Sequence, residues 1–164
     1  MMNETKPLKV LFLCTGNSAR SIISEYLLRK TDRRRFESYS AGSNPKGEVH
    51  PLALRLLRDV YKVDATGARS KSWEEFQGMD LDFVITVCDN AKESCPVFPG
   101  QPIAAHWGVP DPDNYEEFKE AGRVLARRIE LFVNLPLEKL DRLRLEELTR
   151  EIGQMADQPN RPVM

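Results

Sequence analysis

A chain of 164 residues corresponds to one domain of ordinary size, and 41% hydrophobic residues suffice for a single core. Twenty-four basic and twenty-five acidic side chains leave a net charge of −1, which argues against nucleic acid or an anionic membrane surface as partner. No apolar run has the length of a spanning helix, Val10 to Cys14 is too short for a signal peptide, and three sparse cysteines suit a reduced, cytoplasmic protein.

Residues 1–8 are polar and expected to be flexible. Lys9–Cys14 is a short continuous apolar run, the pattern of a strand buried on both faces. It ends in Thr15-Gly16-Asn17-Ser18, turn formers that also suit a helix N-terminus. From Ala19 to Lys30, Ile22, Ile23, Tyr26 and Leu27 fall at helical spacing. Phe36–Ser40 reads as a second strand, and His50-Pro51 opens a helix carrying Leu52, Leu56, Leu57 and Val60. Leu81–Cys88 is β-branched and aromatic with no breaker, so it reads as the third strand, and Pro102–Trp107 as the fourth. Glu116–Val133 is an amphipathic helix. A further helix is expected over Leu137–Ile152, with Gly153 as its stop and a tail over 154–164.

This alternation predicts a four-stranded parallel sheet with helices on both faces, a Rossmann-like three-layer α/β domain with an extra C-terminal helix. The division is a flexible start over 1–8, a domain over 9–133, a helical extension over 134–153 and a tail. Ligands of such sheets bind at the carboxyl ends of the strands. Cys14, Cys88 and His106 fall at or near three of those ends.

The sharpest chemical signal is Cys14-Thr15-Gly16-Asn17-Ser18-Ala19-Arg20-Ser21. A thiol at a strand end faces a turn whose N–H groups, with the following helix N-terminus, form an oxyanion cradle. That positive surrounding is expected to depress the Cys14 pKa and make it a thiolate nucleophile. Arg20 can grip two oxygens of a tetrahedral anion through its planar fork, and Ser21 can donate to the sulfur. The bland alternative is a buried strand cysteine beside a surface arginine. No Gly-Lys-Ser/Thr follows the glycine, so this is not a nucleotide-binding loop. Asp111, in the proline-flanked loop Val109–Asp113, can protonate a leaving oxygen, with Asp113 as a substitute.

Cys88 and Cys95 lie seven residues apart, the wrong spacing for a thioredoxin-type pair or a zinc knuckle. Two helical turns would hold the thiols roughly 10 Å apart, so a reaction between them requires the segment to unwind. Zinc held by Cys88, Cys95 and His106 has unpersuasive spacing. His50 reads as a helix-start residue, Trp73 and Trp107 as core, and the run from Arg29 to Arg35 as a solvated helix end.

Val10 to Ser21 resembles the start of the low-molecular-weight protein tyrosine phosphatase fold, and Ser40-Ala41-Gly42-Ser43 and Asp111-Pro112 fit it. Within that fold, Thr86–Ala91, Cys95-Pro96 and His106–Pro112 resemble the arsenate reductases built on the same scaffold. The resemblance runs from Lys9 to Phe132. It implies a cytosolic arsenate reductase working by a thiol relay. Cys14 attacks arsenate held by Thr15, Gly16, Asn17, Ser18, Ala19, Arg20 and Ser21, with Asp111 as acid. Cys88 then attacks Cys14, and Cys95 takes over Cys88. Thioredoxin, or glutathione with glutaredoxin, is the implied external reductant, and phosphate and sulfate are the implied analogues of arsenate. Ala19 stands where many of these reductases carry a further cysteine. The potassium ion of some members lies at positions that read Asn17, Glu25 and Ser40, while the fourth, often aspartate, reads Lys71. A lysine ammonium in the ion's place predicts no potassium requirement and no other cofactor. A phosphatase acting on phosphate monoesters through Cys14, Arg20 and Asp111 is the first rival, and a non-catalytic oxyanion- or metal-binding regulator the second.

Overall fold

The computed structural model describes residues 6–88 and 100–155. Four strands, β1 (Leu8–Cys14), β2 (Phe36–Gly42), β3 (Phe83–Thr86) and β4 (Ile103–His106), form one parallel sheet in the order β2-β1-β3-β4. Among the described residues the α-helices are α1 (Arg20–Thr31), α2 (Pro51–Asp59), α3 (Tyr115–Val133) and α4 (Arg142–Gln154). None is long and apolar enough to cross a membrane.

Successive side chains of a strand point to opposite faces, so four consecutive residues without exposure, Val10 to Leu13, mean that both faces of β1 are covered. On one face, Phe132 of α3 stacks edge-on to Phe83 at 4.9 Å and meets Phe36 at 5.2 Å and Trp107 at 5.7 Å. On the other, Tyr39, paired in register with Leu11, rests at 5.5 Å on Phe76 of a 3-10 turn over Trp73–Phe76. Helix α1 is buried along Ser21–Leu28 and packs on β1, β2 and α3. His50 caps α2, its Nδ1 accepting the Leu52 N–H at 3.0 Å, with Pro51 in the first turn.

Two expectations about chain ends are corrected. Leu8 is already in β1, its N–H bonded to the Arg35 carbonyl at 2.7 Å, so the polar start is shorter than eight residues. The third strand is narrower than Leu81–Cys88, because only Phe83–Thr86 finds partners on both sides, in β1 and β4. Cys88 therefore stands past the strand, free to turn toward β1.

The C-terminal extension also departs from expectation. Leu137–Ile152 is not one helix: Leu137–Lys139 is a 3-10 turn, Leu140 is extended, and Asp141 caps α4 by accepting the Arg144 N–H at 2.8 Å. Nor does Gly153 stop the helix, which runs on to Gln154. A Cβ at Gly153 would stand 2.1 Å from the His106 carbonyl oxygen and 2.6 Å from Trp107 Cδ1. Glycine is there for close approach, not termination. Helix α4 lies along the edge strand β4, with Arg150 Nε donating to Ala104 O at 3.2 Å and Trp107 Nε1 to Thr149 O at 3.0 Å. It covers an edge that would otherwise be open to pairing with another chain.

Candidate active site

At the carboxyl end of β1 the backbone turns through Thr15–Ala19 before entering α1. Four carbonyls along Cys14–Ser18 are engaged by the loop after β2. Ser43, Asn44, Lys46 and His50 donate their N–H groups to the carbonyls of Cys14, Thr15, Gly16 and Ser18 at 2.8–3.2 Å. The N–H groups of Gly16, Ser18 and Ala19 have no partner among the described residues. Ala19, at the N-cap of α1, offers no side-chain acceptor to the first turn. Free N–H donors beside an uncapped helix N-terminus make a cradle for an anion. Asn17 holds the turn from behind in the left-handed region, at φ 46°, which asparagine tolerates. Its Nδ2 donates to Ser21 Oγ at 2.8 Å, its Oδ1 accepts the Lys71 N–H at 2.8 Å, and its own N–H points at Cys14 Sγ at 3.2 Å. Ser21 Oγ lies 2.9 Å from the same sulfur.

The sequence-predicted residues around this cradle come together as follows. Cys14, Thr15, Gly16, Ser18, Ala19 and Arg20 line a cavity of about 860 Å³, while Asn17 and Ser21 are fully buried behind it. Cys88 lines the same cavity: its Sγ accepts the Thr15 N–H at 3.2 Å and lies 3.4 Å from Thr15 Oγ1, on the residue next to Cys14. Arg20 is parked, Nη1 donating to Val109 O at 2.8 Å and Nη2 3.4 Å from Asp111 Oδ1. Asp111 is on the cavity wall with its side chain 73% exposed. Cys95 lies outside the described residues. Of the three residues weighed for zinc only Cys88 and His106 are therefore placed, both on the cavity wall.

Asn17, Glu25, Ser40 and Lys71 also meet, beneath the turn. Ser40 Oγ donates to Glu25 Oε1 at 2.6 Å. Lys71 Nζ lies 3.3 Å from Ser40 Oγ, 2.9 Å from Arg69 O and 4.0 Å from Glu25 Oε1. The other oxygen of the Glu25 carboxylate accepts from Arg29 Nη2 at 2.7 Å. Arg29 is thus part of this buried network and not only a solvated helix end.

A model of the low molecular weight phosphotyrosine protein phosphatases matches residues 9–146. The chain belongs to that family. Within it, the chain is 32% identical over 131 residues to the arsenate reductase of Oceanobacillus iheyensis, covering 75% of this chain and 93% of the relative. The thioredoxin-dependent arsenate reductase of Corynebacterium glutamicum has a similar structure, with TM-score 0.65 and 30% identity over 81% of this chain and 64% of that one. So has an arsenate reductase solved in its phosphate-binding state, with TM-score 0.63 and 28% identity over 75% of this chain and 94% of that one.

The electrostatics of the family's cysteine depart from the sequence expectation. Cys14 was expected to be a thiolate, yet its pKa is raised well above the ordinary thiol value. The hydrogen-bonded Cys88 thiol contributes most and burial next, while the Ser21 hydroxyl and N–H pull the other way. Removing the Cys88 thiol should therefore lower the Cys14 pKa. In Cys88→Ala the pH midpoint for iodoacetamide alkylation of Cys14, followed on its peptide by mass spectrometry, is expected below that of the wild type. A midpoint unchanged or higher would contradict this account.

Residues that sequence reasoning passed over also reach the cavity. Asn44 and Lys46 arrive on the loop after β2, and Gly153 arrives with the last turn of α4, beyond the stretch matched by the family. His106, read as a packing or supporting group, lines the cavity with its Nδ1 2.6 Å from Thr86 Oγ1. The only sequence signal for Lys46 is its place in a Gly-Ser-Asn-Pro turn after a strand.

Proposed function

We propose that this protein is an arsenate reductase, converting arsenate to arsenite in the cytoplasm at the expense of an external thiol. One observation carries the reading: a second cysteine, Cys88, lines the anion cavity together with Cys14, its Sγ accepting the N–H of Thr15, the residue after Cys14. Hydrolysis of a phosphate ester calls on Cys14, Arg20 and Asp111 and gives Cys88 nothing to do. The described wall of the cavity also carries no phenylalanine, tyrosine or tryptophan on which the ring of an aryl ester would stack.

The chemistry follows from the placement. Arsenate enters the cradle, its oxygens taking the free N–H groups and the Arg20 fork, which leaves Asp111. Cys14 Sγ, its proton passed to an oxygen of the anion, attacks arsenic, and one oxygen departs as water with Asp111 supplying a proton. Cys88 Sγ then attacks Cys14 Sγ. The Cys88 proton passes to an arsenite oxygen, the S–S bond forms, the S–As bond breaks, and its electron pair stays on arsenic, which leaves as arsenite. Two thiols have become one disulfide and arsenic has gained two electrons. Cys95 attacks Cys88 Sγ, frees Cys14, and passes the disulfide on to an external dithiol such as thioredoxin, or to glutathione with glutaredoxin.

Arsenate-dependent NADPH oxidation with thioredoxin and thioredoxin reductase tests the reading. Wild type should turn over. Cys95→Ser should release about one equivalent of arsenite, leave a Cys14–Cys88 disulfide and stall. Full multiple turnover by Cys95→Ser would remove Cys95 from the relay, and no arsenite from wild type with any of these thiols would sink the reading.

No potassium is required in this scheme. The Lys71 ammonium already supplies positive charge to Ser40 and Glu25, although burial lowers its pKa, with Glu25 opposing. Exchange of potassium for sodium at constant ionic strength is expected to leave the arsenate rate unchanged. Activation specific to potassium would contradict this part of the proposal.

A further inference from the structure

We propose that Lys46 is the residue that captures the anion at the mouth of the site, a binding role that rests on the oxyanion reading of the cradle given above. The charge of Arg20 is already answered within the protein: its fork is held by the Val109 carbonyl and by Asp111. The wall of the cavity carries one other permanent cation among the described residues, Lys46, and its ammonium has no hydrogen-bond or ion-pair partner there. An anion approaching the mouth therefore meets Lys46 as the unanswered charge.

The fold seats this residue. Its backbone N–H is bonded to Gly16 O at 2.9 Å, two residues after Asn44 bonds Thr15 O, and Gly47 N–H is tied to Ser70 Oγ at 3.0 Å. Ser70 Oγ in turn donates to Gly16 O at 3.1 Å. The backbone at position 46 is thus fastened to the turn that binds the anion. The side chain then lies back across that turn. A Cβ built on Gly16 would stand 3.1, 3.2 and 3.3 Å from Lys46 Cε, Cγ and Cδ, so the stem covers the bare glycine. Packing an alkyl stem on the backbone while the ammonium stays in water is the usual compromise of a long cationic side chain. Here it carries the end of the side chain over the backbone of Gly16 in the cradle.

Lys46 does not take part in the bond changes. It raises the local concentration of the anion and hands it to the N–H groups and Arg20, which exchanges Asp111 for the anion's oxygens. Its contribution falls on capture, depends on ionic strength, and asks for a positive charge and not for lysine as such.

The experiment uses the full chain as wild type, Lys46→Ala and Lys46→Arg. Inorganic phosphate serves as probe in calorimetric titrations, alongside steady-state kinetics with arsenate. At low salt, Lys46→Ala is expected to weaken phosphate binding and lower arsenate kcat/KM by about fivefold to tenfold. The loss should lie in KM, with Lys46→Arg restoring most of it. The difference should close at about 1 M salt, where the screening length is about 3 Å. Equal phosphate affinity in wild type and Lys46→Ala at low salt would overturn the proposal. So would a loss that arginine does not restore, or one that salt leaves undiminished. Were phosphate affinity to depend on Lys46 in a wild type that reduces no arsenate, the capture role would stand and the reductase reading would fall.

Discussion

Replacing Cys88 by serine should bring thioredoxin-coupled arsenate turnover to background while leaving hydrolysis of para-nitrophenyl phosphate in place. Serine keeps the size and hydrogen-bonding capacity of the side chain, so the contacts to Thr15 N and Oγ1 have a substitute. What it cannot do is form a bond to Cys14 Sγ that accepts the oxidation. The arsenic adduct on Cys14 then has no intramolecular route to arsenite. Loss of a nucleophile that no other group replaces is on the order of 10⁴-fold or more. Phosphate ester hydrolysis, which needs Cys14, Arg20 and Asp111, supplies the internal control for a folded, occupied site. The readouts are NADPH oxidation and arsenite release in one protein and nitrophenol release in the same preparation. Retained multiple turnover of arsenate in Cys88→Ser would show that the presence of both thiols on one cavity wall is incidental. Parallel loss of both activities would point instead to damage to the loop through Thr15.

The parts of this site legible in the sequence are those written locally. Strand, turn and helix around Cys14 follow one another within twenty-odd residues, and the continuous apolar run announces a strand covered on both faces. Asn17, Arg20 and Ser21 could be assigned to the cradle from spacing. Cys88 was legible as a strand-end cysteine. Its contact with Thr15, however, depends on β3 pairing beside β1 in the register Leu13 with Thr86, a fact about two segments 73 residues apart. What failed did so for the same physical reason. Glycine after a helical run is a stop signal in isolation, yet at Gly153 the missing Cβ serves contact with His106 and Trp107. The pKa of Cys14 was argued from its loop, whereas the Cys88 thiol, brought in past the end of β3, and burial push it up. Lys46 carries no local motif, and only the ladder of carbonyls along Cys14, Thr15 and Gly16 brings it to the mouth.

Arg20→Lys should keep the fold and lose most of the catalysis. The guanidinium is nearly enclosed, its side chain 15% exposed, and reaches two acceptors at once, the Val109 carbonyl and the Asp111 carboxylate. That two-pronged geometry is what a tetrahedral anion would inherit, two parallel N–H donors on two oxygens. Lysine preserves the charge and loses the fork. Because Asp111 is largely exposed, weakening the resting pair should cost at most about 1 kcal/mol of stability, so the melting temperature is expected to move little. Losing a preorganised donor to a developing oxyanion costs about 10²- to 10³-fold in kcat, and arsenate kcat/KM is expected to fall by at least that range. Binding of inorganic phosphate should weaken far less, since the free N–H groups of Gly16, Ser18 and Ala19 and a cation remain. The two substitutions of cationic residues are thereby distinguishable: Lys46→Ala loses capture that salt also removes, while Arg20→Lys loses the chemical step at every ionic strength. An Arg20→Lys protein that reduces arsenate within about threefold of wild type would mean that charge alone, without the fork, organises the oxyanion.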